Sequence, residues 1–130
     1  MAMTRLLAVL VASIVGYLIP MLWYSKSLFG TSWLKLSGQK SMKPSGSVIL
    51  VGFIVTVIFN AVLALLITLT GATALEEGIG LAFLLWIGFI FTSKMDSVLY
   101  EKKSIKLYWI VTIQYLLSMI AGGIILTLWQ

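Results

Sequence analysis

Four long apolar stretches dominate this sequence, at about residues 6–23, 48–69, 79–99 and 107–129. Each approaches the ~20 residues that a helix needs to cross ~30 Å of hydrocarbon. The chain has 130 residues, 61% hydrophobic and 10% charged. A soluble domain carries roughly 25% charged residues, and a soluble fold of this size could not cover its surface with so few. The reading is all-α: a polytopic membrane protein, a four-transmembrane-helix bundle forming a single membrane domain over residues 1–130. Arg5 before an apolar run resembles a signal peptide. The run is long, however, contains Pro20 and lacks a small-x-small cleavage site, so it reads as a span.

Cysteine and histidine are both absent. Thiol nucleophiles, thiolate metal sites, haem–histidine ligation and imidazole acid–base chemistry are thereby excluded. No Ser/His, metal-ligand or phosphate-loop pattern occurs, so no catalytic residue, metal or cofactor is expected.

All the cations but Arg5 fall on one side. Lys26, Lys35, Lys40 and Lys43 occupy the first loop, and Lys94, near the end of span three, goes with Lys102, Lys103 and Lys106 of the third. The second loop, "GATALEEG", carries only Glu76 and Glu77. Basic loops stay cytoplasmic, so loops one and three are expected inside and both termini outside. Basic residues that flank apolar spans point to anionic lipid headgroups at the cytoplasmic side, and not to nucleic acid. Thr73 and Glu76 have capping-box spacing. "SLFGTSWLKLSG" (27–38) reads as a short helix on the inner surface, followed by the turn signal "KPSG" (43–46).

The two halves, about 1–72 and 73–130, echo one another. "SLFGTSWLKL" (27–36) aligns with "VLYEKKSIKL" (98–107), and "IVTVIF" (54–59) with "IVTIQY" (110–115). A 2+2 internal repeat would be parallel, related by an axis along the membrane normal.

Helices in lipid associate through small residues and hydrogen bonds. Residues four apart share a face. That spacing picks out Ala8, Ala12 and Gly16 in span one, and Gly52, Thr56 and Asn60 in span two. It also picks out Gly80, Gly88, Thr92 and Asp96 in span three, and Gln114, Ser118 and Gly122 in span four. Ala8, Ala12, Gly16, Gly52, Gly88 and Gly122 are the expected packing positions. Asn60, Thr56, Thr92, Asp96, Gln114 and Ser118 are the candidate lining of a polar groove for an ion, lipid or small amphiphile. Asn60 falls near mid-bilayer, where its amide needs Thr56, Gln114 or Ser118. Pro20 deprives the Gly16 carbonyl of its donor and marks a kink or hinge. Asp96 is expected to face the bundle and meet a first-loop lysine, Tyr24 or Ser25, while Lys94 snorkels to headgroups.

"LWYSKSLFGTSWLKL" (22–36) and "GFIFTSKMDSVLYEKKSIKLYWI" (88–110) resemble the membrane proteins grouped as domain of unknown function 1761. Lys26 stands where the pattern favours proline, and "LYEKKSIKLY" replaces an "LFEGRSW-LF" segment. The resemblance implies four spans and a bacterial cytoplasmic membrane, and it implies no established activity. Two functions are expected to compete. One is a structural or accessory protein acting by helix association, with itself or a membrane-protein partner. The other is a transporter or channel component using the polar groove.

Overall fold

The computed structural model describes residues 2–40 and 44–129. Lys43, counted above with the first-loop cations, lies outside them. Five helices follow in order: α1 (Ala2–Trp23), α2 (Gly30–Ser37), α3 (Gly46–Thr70), α4 (Leu75–Leu99) and α5 (Ile105–Leu128). Four of them, all but α2, are long and apolar enough to cross a membrane. The all-helical, four-span reading therefore agrees with the structure.

Local chemistry sets the helix ends. The Ser45 hydroxyl accepts the Val48 N–H at 3.3 Å and caps α3. Gly71, at φ 73°, closes α3 in the left-handed conformation that glycine tolerates best. Ser104 caps α5 through the N–H groups of Lys106 and Leu107. At α4 the capping pair differs from the expected Thr73 and Glu76. Glu77 accepts the N–H groups of Thr73 and Ala74 at 3.2 and 2.9 Å. The helix starts at Leu75, so the third helical position is Glu77. Ala74 has no side-chain acceptor with which to complete the box.

α5 is the hub of the bundle. It packs on α1, α3 and α4, and on α2 at its first turns. Consecutive residues of a helix point ~100° apart, so the pair Gly122–Gly123 serves two neighbours. A Cβ on Gly122 would stand 2.6 Å from Asn60 Oδ1 of α3. On Gly123 it would stand 2.7 Å from the Gly78 carbonyl of α4. Across the second contact, a Cβ on Gly78 would overlap the Thr127 hydroxyl. Ala8 and Ala12 of α1 meet Leu63, Ala64 and Ile67 of α3, with Leu126 of α5 closing the cluster. A second cluster joins Ala82 and Trp86 of α4 to Met119.

The inward stripe of α4 corrects the sequence reading. Gly78, Ala82 and Trp86 face the bundle, whereas Gly80, Leu84, Gly88, Thr92 and Asp96 are exposed. Gly88 therefore does not pack: a Cβ there would have no neighbour within 4 Å. Two four-residue stripes compete on this helix, and the one carrying the bulky Trp86 wins because α5 offers the indole a partner. From Trp86 to Phe91 the helix widens to π geometry.

Gly78→Ala and Gly123→Ala are expected to lower stability by about 1–3 kcal/mol through overpacking. Gly80→Ala should be neutral or stabilising by up to ~1 kcal/mol. Unfolding titrations of the detergent-solubilised chain in SDS would rank the three.

Candidate functional site

Two polar assemblies occupy the bundle. The first lies midway along it, where α1, α3 and α5 meet. Asn60 is 2% exposed. Its Nδ2 donates to the Thr56 carbonyl at 3.1 Å and to Ser13 Oγ at 3.5 Å. Ser13, which the sequence reading passed over, donates in turn to the Val9 carbonyl. Among the described residues Asn60 Oδ1 has no hydrogen-bond partner, and it faces Gly122, where a Cβ would stand 2.6 Å from it.

Gln114 and Ser118 pair with each other and not with Asn60. Gln114 Nε2 donates to Ser118 Oγ at 2.9 Å, and Ser118 Oγ donates to the Gly16 carbonyl at 3.3 Å. This is the carbonyl left without a backbone donor by Pro20. A side chain from α5 thus repairs the break in α1. Gly52 sits against the ring of Tyr17, 3.3 Å from where a Cβ would be. Thr56 Oγ1 returns to the Gly52 carbonyl at 2.9 Å. Of the six candidate groove residues, Asn60, Thr56, Gln114 and Ser118 thus gather within the bundle, and Thr92 and Asp96 do not.

The second assembly is the lysine-rich end. After α1 the chain turns through "YSKSLFG". The Phe29 N–H reaches the Trp23 carbonyl, and the Gly30 N–H reaches the Ser25 carbonyl, both at 3.0 Å. Gly30 is required there, because any Cβ would run into the Tyr24 and Ser25 carbonyls. Phe29 stacks on Trp23 at 4.3 Å, and Trp33 of α2 meets Tyr24 edge-on at 5.9 Å. Burial, and after it the nearby Tyr115 phenol, raises the Tyr24 hydroxyl well above its ordinary 10.0, so it stays neutral. These contacts give the aromatic and glycine positions of the 22–36 motif a structural role: they fold α2 back against α5.

Two indoles hold α5 from either side. Trp23 Nε1 donates to the Ile110 carbonyl at 2.9 Å, and Trp86 Nε1 to the Thr112 carbonyl at 2.7 Å. Tyr108 of α5 reciprocates, donating to the Phe91 carbonyl of the π segment at 2.7 Å. The sequence reading passed over Trp86. An indole N–H within an apolar helix was the available signal, since it must find an acceptor there.

Lys94 lies over the Tyr115 ring, 5.2 Å from its centroid. Asp96 is exposed and pairs with no lysine among the described residues. The single ion pair found among them, Lys103 with Glu101 at 3.6 Å, is solvent-facing. No described group of three or more His, Cys, Asp or Glu residues could hold a metal ion.

A family model described as "Protein of unknown function (DUF1761)" matches residues 7–127. No curated protein and no solved structure matches the chain.

The Gly16 repair generates a test. Ser118→Ala should cost about 1 kcal/mol, since it strips the donor from a buried carbonyl. In a Pro20→Ala background the backbone N–H returns to Gly16, and the same substitution should cost less, only the Gln114 bond to Ser118 being lost. A double-mutant cycle in detergent would then show a coupling of about 0.5–1 kcal/mol.

Proposed function

The chain belongs to the DUF1761 family, and we propose that it is a small accessory protein of the membrane, acting by lateral association of a rigid bundle and not by passing a solute. One observation carries this reading. The polar side chains at mid-bundle are occupied with each other and with helix carbonyls: Gln114 with Ser118, Ser118 with Gly16, and Asn60 with Thr56. Asn60 and Gln114 are 2% and 7% exposed. Donors so bonded orient helices, at about 0.6–2 kcal/mol each, and the acceptor left over, Asn60 Oδ1, is closed in against Gly122. The acid nearest the groove, Asp96, stands outside it on the exposed face of α4. A proton-coupled exchanger would call for an acid within the bundle.

The orientation proposed is that of the sequence. The lysine-rich end, with α2, faces the cytoplasm, and Glu76 and Glu77 lie outside. Association would use the lipid-facing apolar sides of α1 and α3, which are extensively exposed.

Two measurements test this. The chain has no cysteine, so single-cysteine variants label cleanly. A thiol at Ala74 should react with an impermeant reagent from outside intact cells, and one at Gln39 only after permeabilisation. Proteoliposomes should hold proton and alkali-ion gradients as empty liposomes do, while crosslinking in native membranes captures a second polypeptide. Flux that Asn60→Ala abolishes would replace association with transport.

A further inference from the structure

At the lysine-rich end a cleft of about 300 Å³ opens between α2, the end of α4 and the first turns of α5. That volume is at the lower limit of small-molecule sites, about 300–1,000 Å³. It suits a headgroup and not a whole lipid. Lys94 and Lys103 line it from the α4 side, and Ser37 and Gln39 from the end of α2. Apolar side chains, Leu107 and Val111 among them, make the α5 wall. Trp33, a residue type that settles at the headgroup level of a bilayer, stands at its edge. Among the described residues no carboxylate lines the cleft.

We propose that this cleft binds the phosphate of a lipid bearing a net-negative headgroup, held by Lys94 and Lys103 with its glycerol end along α5. The donor set suits that chemistry. Two ammonium groups supply charge and several N–H donors; that of Lys94 rests over the Tyr115 ring, 5.2 Å from its centroid, and would exchange this contact for the phosphate. The Ser37 oxygen accepts the Gln39 backbone N–H at 3.4 Å, which leaves its own O–H free to donate. Ser97 is not a donor here, because its O–H goes to the Lys94 carbonyl at 2.8 Å. Mixed polar and apolar walls distinguish a lipid phosphate from the free ion, which would have no use for Leu107 or Val111.

The backbone supplies a second, independent observation. Lys102 adopts φ 57°, the left-handed region, and is the one described non-glycine residue to do so. A lysine is unfavourable there, and glycine is the residue that adopts it freely. This conformation turns the chain back so that the Lys103 N–H donates to the Ser97 carbonyl at 2.9 Å. Lys103 is thereby carried over the end of α4 to the cleft. Strain of this kind gathers at binding sites. Glu101 competes for the same ammonium at 3.6 Å, in a pair whose side chains are 55% and 60% exposed. So open a pair is weak and readily exchanged for a ligand.

The site stands apart from the association reading, and its test is separate. The full chain, purified in a zwitterionic detergent, is titrated with phosphatidylglycerol, phosphatidylcholine or inorganic phosphate. Native mass spectrometry counts the lipid retained. One phosphatidylglycerol should bind in preference to phosphatidylcholine. Lys94→Gln with Lys103→Gln should weaken it about tenfold or more, as expected when charge-assisted bonds are lost. Glu101→Gln should tighten it by roughly twofold, by freeing Lys103. Lys106→Gln removes the same charge at the same end but outside the cleft lining, so it should change affinity by less than about twofold. Equal loss in Lys106→Gln would mean diffuse surface attraction and overturn the site. So would wild-type retention in the double variant with its helicity intact. Saturation by inorganic phosphate with no preference between the lipids would overturn the lipid assignment.

Discussion

Hydrocarbon contains no water to rescue an unpaired carbonyl, and each one left bare costs several kcal/mol. This constraint organises the bundle. Two of its spanning helices interrupt their regular backbone bonding: α1 at Pro20, which has no N–H, and α4 from Trp86 to Phe91, where the helix is π. Each interruption exposes a carbonyl, and in both cases a side chain of α5 covers it. Ser118 takes Gly16 and Tyr108 takes Phe91. The exchange also runs the other way, since Trp23 of α1 and Trp86 of α4 bond carbonyls of α5. The helix with the greatest buried share, α5, is thus the one tied by polar bonds to both neighbours.

Residue size then differs from one end to the other. Toward the glutamate end the contacts are Gly78, Gly122, Gly123, Ala8, Ala64 and Ala82, and backbones meet almost without side chains between them. Toward the lysine end they are Trp23, Trp86, Phe91 and Tyr108. Helix separation follows the side chains at the contact. The small-residue end is closed by van der Waals packing. The aromatic end is held by these rings and their bonds to carbonyls, and α2 and its neighbouring cleft lie there. Lipid cannot drive these helices together by hydrophobicity, so close packing at one end and indole bonds at the other do the work that an apolar core does in water.

The spans were legible because apolar length needs no knowledge of neighbours. The lysine distribution and the Pro20–Gly16 break were equally legible, since both are local facts. Ser118 and Gln114 were legible as polar residues needing partners, and their spacing of four allows the bond between them; that Ser118 reaches Gly16 was not legible, because the sequence does not say which faces of α1 and α5 meet. The face of α4 was misread for the same reason. Gly80, Gly88, Thr92 and Asp96 repeat as neatly as Gly78, Ala82 and Trp86, and periodicity alone cannot choose between opposite sides of one helix. Small size suggested the wrong stripe. The buried indole donor would have suggested the right one, since Trp86 on the lipid face at that depth would have had no acceptor. The π segment left no signature in residue type at all; it is visible only once Tyr108 is seen reaching for Phe91.

The two helices that enter the lysine-rich end lose regular hydrogen bonding by unrelated means, α1 through the missing N–H of Pro20 and α4 through its π segment. Beyond that segment Lys94 lies over Tyr115, and Asp96 stays on the exposed face that Gly80, Gly88 and Thr92 share. The carboxylate is therefore kept out of the cleft, and the lysines line it.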